Sequence, residues 1–251
     1  MNIAIITGAS SGLGVEFYKE IQSEPLDEIW VIARREDRLR ECNEKYGKIK
    51  TRVIPMDITV KENLLKLQKM LDEEAPSIKL LINNAGFGVF GALIDADFEM
   101  QGAMVDLNVR ALTEITAIAL KHMCEKSYII NTCSIASFVP NANLAVYSST
   151  KAYVLSFSRG LRQELKKRKI NVTAVCPGPM ATEFLEVAGI DKGVSKMFDT
   201  LPTTSPSLVA RNGIKAAKRG KAVYTPRVLF KVYRVLAKVL PHSLLLPMCK
   251  C

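Results

Sequence analysis

Short apolar runs alternate with longer stretches of helical periodicity from the first residue to about Tyr224, and that alternation leaves few folds open. A strand covered on both faces reads as a nearly unbroken apolar run, and parallel neighbours need a crossover that a helix usually supplies. Runs at Ile3 to Thr7, Ile29 to Ala33, Thr51 to Ile54, Leu80 to Asn83, Tyr128 to Cys133, Asn171 to Cys176 and Ala222 to Tyr224 predict seven strands. Segments near Gly12 to Gln22, Glu36 to Lys45, Val60 to Glu74, Phe98 to Met123, Tyr147 to Arg168 and Pro206 to Arg219 predict the intervening helices. With 251 residues and 48% hydrophobic content the chain can bury one large core. The expected fold class is α/β, a single doubly wound domain with a seven-stranded parallel sheet and helices on both faces.

Charge is divided unevenly along the chain. From Arg211 onward there are ten basic residues and no acid, which leaves the first 210 residues with 25 basic residues against 25 acids, so the tail holds the whole net charge of +10. The six cysteines are scattered except for Cys249 and Cys251, and only His122 and His242 could help them bind metal. Reduced thiols in a cytoplasmic protein are the expectation, ahead of a structural zinc site. The opening MNIAIITGASSGLG passes from apolar residues directly into a glycine loop, without the basic start and cleavage site of a secretory leader.

In doubly wound sheets, ligands bind beyond the carboxyl ends of the strands. After the first strand comes TGASSGLG, Thr7 to Gly14, where Gly8 can turn sharply, Gly12 lets a diphosphate approach the backbone, and Gly14 lets the next helix pack closely. Its spacing is not that of the general G-x-G-x-x-G fingerprint. Two segments set a tyrosine and a lysine one helical turn apart: YSSTK, Tyr147 to Lys151, and YGKIK, Tyr46 to Lys50. Tyr46 precedes the third strand, at the wrong end of the sheet, and Gly47 weakens any helix aligning it with Lys50. Tyr147 follows the fifth strand.

TGASSGLG, NNAG at Asn83 to Gly86, Asn108 in LNV, Ser134, YSSTK and PGPMATEF at Pro177 to Phe184 stand in an order that resembles the short-chain dehydrogenases/reductases over residues 1 to about 225. The resemblance implies a Rossmann-type catalytic domain over 1–225, with 226–251 as a basic amphipathic helical extension. It implies that Gly8, Ser10, Ser11, Gly12, Leu13 and Gly14 hold the cofactor diphosphate, and that Asn84, Ala85 and Gly86 line the cleft near the adenosine half. Pro177, Gly178 and Thr182 match the segment that closes over the nicotinamide amide. Asp57 matches a position that accepts a bond from the adenine amine, although a helix cap for the segment starting near Thr59 also suits it. At the end of the second strand stand Arg34 and Arg35 where an NAD-binding chain would carry an acid. Their planar, permanently charged donors suit a 2′-phosphate, so NADP(H) is the expected cofactor.

Reduction of a ketone by hydride builds negative charge on the carbonyl oxygen, so the site needs a donor to share it and an acid to supply a proton. A free tyrosine, with pKa about 10, is a reluctant acid, and a neighbouring ammonium together with an oxidised nicotinamide would bring it nearer neutrality. By resemblance Tyr147 is the general acid or base, Lys151 lowers its pKa and binds the nicotinamide ribose, Ser134 bonds the substrate oxygen, and Asn108 interrupts its helix to hold a water that relays protons to Lys151. His122 is given no role. The expected activity is hydride transfer between NADP(H) and an apolar ketone or secondary alcohol, of hydroxysteroid or 3-oxoacyl type, with a catalytically silent nucleotide-binding protein on the same fold as the alternative.

Between Glu183 and Ser205 lie Phe184, Leu185, Val187, Ile190, Met197, Phe198 and Leu201, which suit either an apolar substrate pocket under a lid or a helix packed on the body. Beyond them, Thr225 and Pro226 resemble the N-cap and first position of a helix ending at Leu240. Arg227, Lys231, Arg234 and Lys238 fall on one narrow stripe of it, and aliphatic residues cover nearly everything else. Such a helix meets an anionic membrane surface, a partner subunit or the substrate mouth. No groove-reading motif accompanies the charge, so nucleic acid is not an expected partner. The family resemblance further implies a homodimer or homotetramer.

Overall fold

The computed structural model describes residues 1–190 and 200–246. Seven strands form one parallel sheet in the order β3-β2-β1-β4-β5-β6-β7. They are β1 (Asn2–Thr7), β2 (Glu28–Ala33), β3 (Thr51–Pro55), β4 (Ser77–Asn83), β5 (Met123–Thr132), β6 (Asn171–Val175) and β7 (Val223–Tyr224). Every pairing between neighbours is parallel. Strand order reverses between β1 and β4, which opens the crevice where such sheets bind ligands.

The helices on the faces are α1 (Gly12–Ile21), α2 (Glu36–Tyr46), α3 (Lys61–Glu74), α4 (Phe98–Val105), α5 (Leu112–Leu120), α6 (Ala145–Glu164), α7 (Glu183–Val187), α8 (Pro206–Lys218), α9 (Val228–Val239) and α10 (His242–Leu245). One core layer packs Phe17, Ile21, Val209 and Ile214 of α1 and α8 against Ala4, Ile6 and Ile82. The opposite layer packs Leu64, Leu67, Ile115 and Leu161 against Ile3, Ile5, Leu81 and Ile129. Alternate residues of the same strands serve the two layers, which is why the strands are apolar throughout rather than every second residue.

Two elements depart from the sequence expectation. The segment expected as one helix from Phe98 to Met123 is α4 and α5 joined by a π turn over Asp106–Ala111, and Met123 opens β5 instead. A π turn adds a residue to the ladder and is frequent at functional sites; here it carries Asn108. The tail helix does not start at Thr225 and Pro226. Its N-cap is Arg227, with φ 57° and ψ 143°, and the helix begins at Val228. Thr225 is buried and accepts a bond from Arg234 Nη1 at 3.2 Å, so its hydroxyl serves tertiary packing instead of the cap. Tyr46 ends α2 with the Lys19 ammonium 4.2 Å from its ring centroid; the spacing with Lys50 has no structural counterpart.

The tail helix is part of the body. Phe230 is 1% exposed and lies so close to Gly178 that a Cβ there would fall 2.3 Å from its Cε2. Tyr233 packs on Phe138 with ring centroids 6.0 Å apart.

Candidate active site

The carboxyl end of β1 delivers the glycine loop. Gly8 has φ +69°, and a Cβ on it would meet Ala85 Cα at 2.7 Å, so only glycine lets the β1 and β4 loops touch. A Cβ on Gly14 would lie 2.0 Å from Gly8 O, the close approach that seats α1 on the strand end. Ser11 is the N-cap of α1 and its side chain makes no capping bond, so the first N–H groups of a ten-residue helix face the loop, a setting for an anion. Leu13 is buried in the core, so its backbone alone can contribute to that cradle. Ser10 lies at the loop's outer side, near Arg35.

The β4 end is tied to the same loop. Thr7 Oγ1 accepts from the backbone N–H of Asn84 and of Ala85, each at 3.1 Å. Asn84 Nδ2 donates to Gly8 O at 3.1 Å, and Thr132 Oγ1 donates to Asn84 Oδ1 at 3.2 Å. Asn84 thus joins the ends of β1, β4 and β5. Beneath it, Asn83 Nδ2 bonds Thr116 and Asn131, each at 2.9 Å, and Asn131 bonds Ser158, so a buried polar chain fixes α5 and α6 against the sheet.

Ser134 follows β5, and α6 brings Tyr147 and Lys151 over it. All four of Asn108, Ser134, Tyr147 and Lys151 meet at the β4 and β5 ends. Tyr147 and Lys151 are 9% and 4% exposed, with the Lys151 Nζ 5.7 Å from the Tyr147 ring centroid. Lys151 Nζ donates to Thr132 O at 3.1 Å, and a Cβ on Gly86 would lie 3.4 Å from it, so Gly86 leaves space beside the ammonium. Ser134 Oγ accepts from the Ala136 N–H at 3.1 Å. That spends a lone pair of Ser134 Oγ and leaves its proton to hydrogen-bond the Tyr147 phenol.

Asn108 is buried and fully engaged. Its Oδ1 accepts from Phe87 N at 3.1 Å, and its Nδ2 donates to Phe87 O at 2.9 Å and to Thr150 Oγ1 at 3.1 Å. It locks the loop after β4 to α6. The π turn around it interrupts the regular helical ladder at this residue.

Electrostatics in the protein by itself differ from the sequence expectation. Burial pushes the Tyr147 phenol above its ordinary value, against a smaller downward pull from hydrogen bonding to Ser134. Burial also holds the Lys151 ammonium below its usual value. Desolvation disfavours both charged forms, and it outweighs the attraction of ammonium for phenolate across this distance.

Arg34 and Arg35 stand at the β2 end as expected, but Arg35 already has a partner. Its Nη1 and Nη2 donate to Glu183 Oε1 and Oε2 at 2.5 and 2.8 Å. Glu183 opens α7, next to Thr182, and a Cβ on Gly12 would lie 3.3 Å from Thr182 Cβ. Asp57 Oδ1 accepts from both N and Oγ1 of Thr59, at 2.9 and 2.7 Å, in a local turn rather than a helix cap, since α3 begins at Lys61 with Val60 as its N-cap. Pro177 O accepts from Ile135 N at 2.9 Å, joining the PGPM segment to the Ser134 turn.

Of the expected lid residues, Phe184 packs on Tyr147 with ring centroids 5.7 Å apart, Ile190 is buried, and Val187 faces solvent. Met197 and Phe198 lie outside the described residues, as do Cys249 and Cys251. Cys42, Cys124, Cys133 and Cys176 are free thiols, and no metal-binding cluster occurs among the described residues. Sequence reading missed Glu183, Thr132 and Thr150. Each acts through a partner at least three residues away in the fold's own geometry, and only the glycine and YSSTK motifs announce themselves locally.

Residues 2–192 match the short chain dehydrogenase family. Among curated proteins the chain is similar to a probable NADP-dependent dehydrogenase of Haemophilus influenzae, 33% identical over 215 residues, which span 82% of this chain and 84% of that one. Among solved structures it is similar to a short-chain dehydrogenase from Sphingobium yanoikuyae in complex with NADPH, at 27% identity and TM-score 0.78 over 96% of this chain and 97% of that one. It is also similar to the bulky-bulky ketone specific alcohol dehydrogenase from Comamonas testosteroni, at 26% identity and TM-score 0.77 over 95% and 92%. The chain belongs to the short chain dehydrogenase family, a family of oxidoreductases.

Proposed function

We propose that the protein is an NADP(H)-dependent oxidoreductase that interconverts a lipophilic ketone and its secondary alcohol. The observation that carries this reading is the convergence of Ser134, Tyr147 and Lys151 at one crevice, with an anion cradle at the glycine loop and two arginines at the β2 end. The dinucleotide would be held by the Gly8–Gly14 loop, by Asn84 to Gly86, by Arg34 and Arg35 at its 2′-phosphate, by Lys151 at its nicotinamide ribose, and by Pro177 to Thr182 at its amide. Bound NADPH supplies the hydride. Ser134 turns its O–H from the phenol to the ketone oxygen, and the buried, neutral Tyr147 gives that oxygen its proton as charge builds there. Lys151 and the polar chain through Thr132 hold the phenol in place and stabilise the phenolate left behind. Phe184 over Tyr147, with Phe87, Val89 and Phe90 beside it, gives the substrate side an apolar wall, which favours a lipophilic ketone.

The test is steady-state NADPH oxidation by purified protein against steroid, long-chain 3-oxoacyl and small aromatic ketones. We expect Tyr147→Phe to lower kcat about 100-fold or more while NADPH still binds. Unchanged turnover in that variant would remove the enzymatic reading and leave the silent nucleotide-binding protein.

Two further features belong to this reading. Exposed Val105 at the end of α4 and Tyr153 on the long helix α6 support pairing of copies through these elements as a homodimer or homotetramer. The solvent-facing aliphatic side of α9, flanked by basic residues, supports peripheral contact with an anionic membrane, and the reduced thiols fit a cytoplasmic setting. No helix of the described residues is long and apolar enough to cross a membrane.

A further inference from the structure

Arg35 meets Glu183 across 148 residues of sequence in a two-point contact, both guanidinium nitrogens on both carboxylate oxygens, at 2.5 and 2.8 Å. The same Nη2 lies 3.4 Å from Ser10 Oγ, and Glu183 is also hydrogen-bonded to Ser11. Glu183 therefore sits between the glycine loop and the β2 end, on the donors that the proposed function gives to a 2′-phosphate. Carboxylate and phosphate suit the same guanidinium fork, so the two acceptors compete for one site.

We propose that Glu183 is an internal competitor for the cofactor's 2′-phosphate: NADP(H) must displace it from Arg35, whereas a dinucleotide lacking that phosphate leaves the pair intact. This rests on the NADP(H) reading above. Sharing is disfavoured because a phosphate would bring its charge against a carboxylate a few ångströms away. Nor can the carboxylate escape by taking up a proton near neutrality, since Arg35 holds it down to about 2. Displacement is feasible because the two side chains are 43% and 39% exposed and Glu183 heads a helix of only five residues. The consequence is that Glu183 moderates the preference for phosphorylated cofactor and speeds its release.

The experiment measures Kd of 2′,5′-ADP and 5′-ADP by calorimetry, and of NADPH and NADH by fluorescence, for wild type, Glu183→Gln, Arg35→Ala and the double variant. Glu183→Gln should tighten 2′,5′-ADP and NADPH about two- to fivefold, the scale of an exposed ion pair, and leave 5′-ADP and NADH unchanged. In the Arg35→Ala background the same substitution should change nothing, which separates competition at Arg35 from a general loss of negative charge. Equal or weaker 2′,5′-ADP binding in Glu183→Gln overturns the proposal, as does tightening that persists without Arg35. If wild type binds 2′,5′-ADP no better than 5′-ADP and Arg35→Ala has no effect, the NADP(H) reading fails and the competitor falls with it. If 2′,5′-ADP is preferred and only the Glu183 variant is silent, the NADP(H) reading stands alone.

Discussion

Tyr147 and Cys124 occupy opposite electrostatic settings, and each dictates a measurable pH response. Tyr147 is pushed up by burial and stays neutral through the working range, as the proposed proton donor must. Cys124, at the far end of the sheet, has the Lys79 ammonium 2.9 Å from its Sγ and Ser77 Oγ at 3.2 Å, and these bonds, Lys79 foremost, bring its thiol down to about 7. Because the thiolate is the reacting form, alkylation of Cys124 should rise with pH through about 7 and level off above it. Cys42, pushed up to about 11 by burial, should stay unreacted over that range. In Lys79→Met the rise should move towards the ordinary thiol value and the rate at pH 7.5 should fall roughly tenfold, read by mass spectrometry of iodoacetamide-treated protein. A profile unmoved by Lys79→Met would remove the ammonium as the cause. Neither this pair nor Arg35–Glu183 was legible in the sequence, since each joins residues from different elements and has no fixed spacing. Ser134, Tyr147 and Lys151 were legible because the ordered motifs around them resemble the short-chain dehydrogenases/reductases, with strand-end position favouring YSSTK over the equally spaced YGKIK.

At the level of elements, the strands and most helices followed from periodicity, and the exceptions have physical causes. The π turn at Asp106–Ala111 is invisible to a 3.6-residue pattern, because Leu107, Val109 and Ala111, apolar among polar neighbours, read there as part of an ordinary amphipathic helix. The cap of α9 moved because Thr225 is drawn into the body by Arg234, and Arg227 takes the left-handed corner that lets Phe230 reach Gly178. Phe230 is the anchor of that helix. Phe230→Ala should cost about 3 to 5 kcal/mol if the site does not collapse, and should expose α9 to limited proteolysis before the body unfolds. Denaturant melts and time-resolved digestion check both parts; an unchanged melt with no early cleavage near α9 would mean that the helix is held by something else. Gly14→Ala tests the glycine loop in the same way. A Cβ 2.0 Å from Gly8 O cannot be relieved by a rotamer, so the loop must shift. We expect soluble, folded protein with dinucleotide binding lost or weakened at least tenfold, measured by calorimetry with NADPH. Full affinity in Gly14→Ala would show that the loop is not the diphosphate cradle.

Across the whole molecule the charge divides along the chain: the first 210 residues are neutral, and the excess lies on α8, on α9 and its cap, on the segment between them and at Lys250. On α9 the inward side is Phe230, Tyr233 and Ala237, while Val228, Leu229, Val232, Val235, Leu236 and Val239 face outward, with Val228 and Val239 more than 70% exposed. Lys231 and Lys238 flank that apolar face, and exposed Leu244 and Leu246 extend it past Pro241. An aliphatic ridge bordered by ammonium groups matches a bilayer of acidic lipids, where each basic residue near the surface adds about 1 kcal/mol and the apolar side chains enter the headgroup boundary. Because Phe230 is core, deleting the tail would damage the body, so the test keeps the chain whole. Wild type should float with vesicles containing phosphatidylglycerol, bind weakly to purely zwitterionic vesicles, and come off as salt rises, since screening shortens the reach of the lysines. Val232→Glu with Val235→Glu should abolish flotation while leaving ketone reduction and the melting curve in place. If the variant floats like wild type, the ridge does not enter lipid. If instead wild type fails to float and the variant alone drops to a smaller mass by light scattering, the ridge is a contact between copies, and the basic residues serve the rim of that contact.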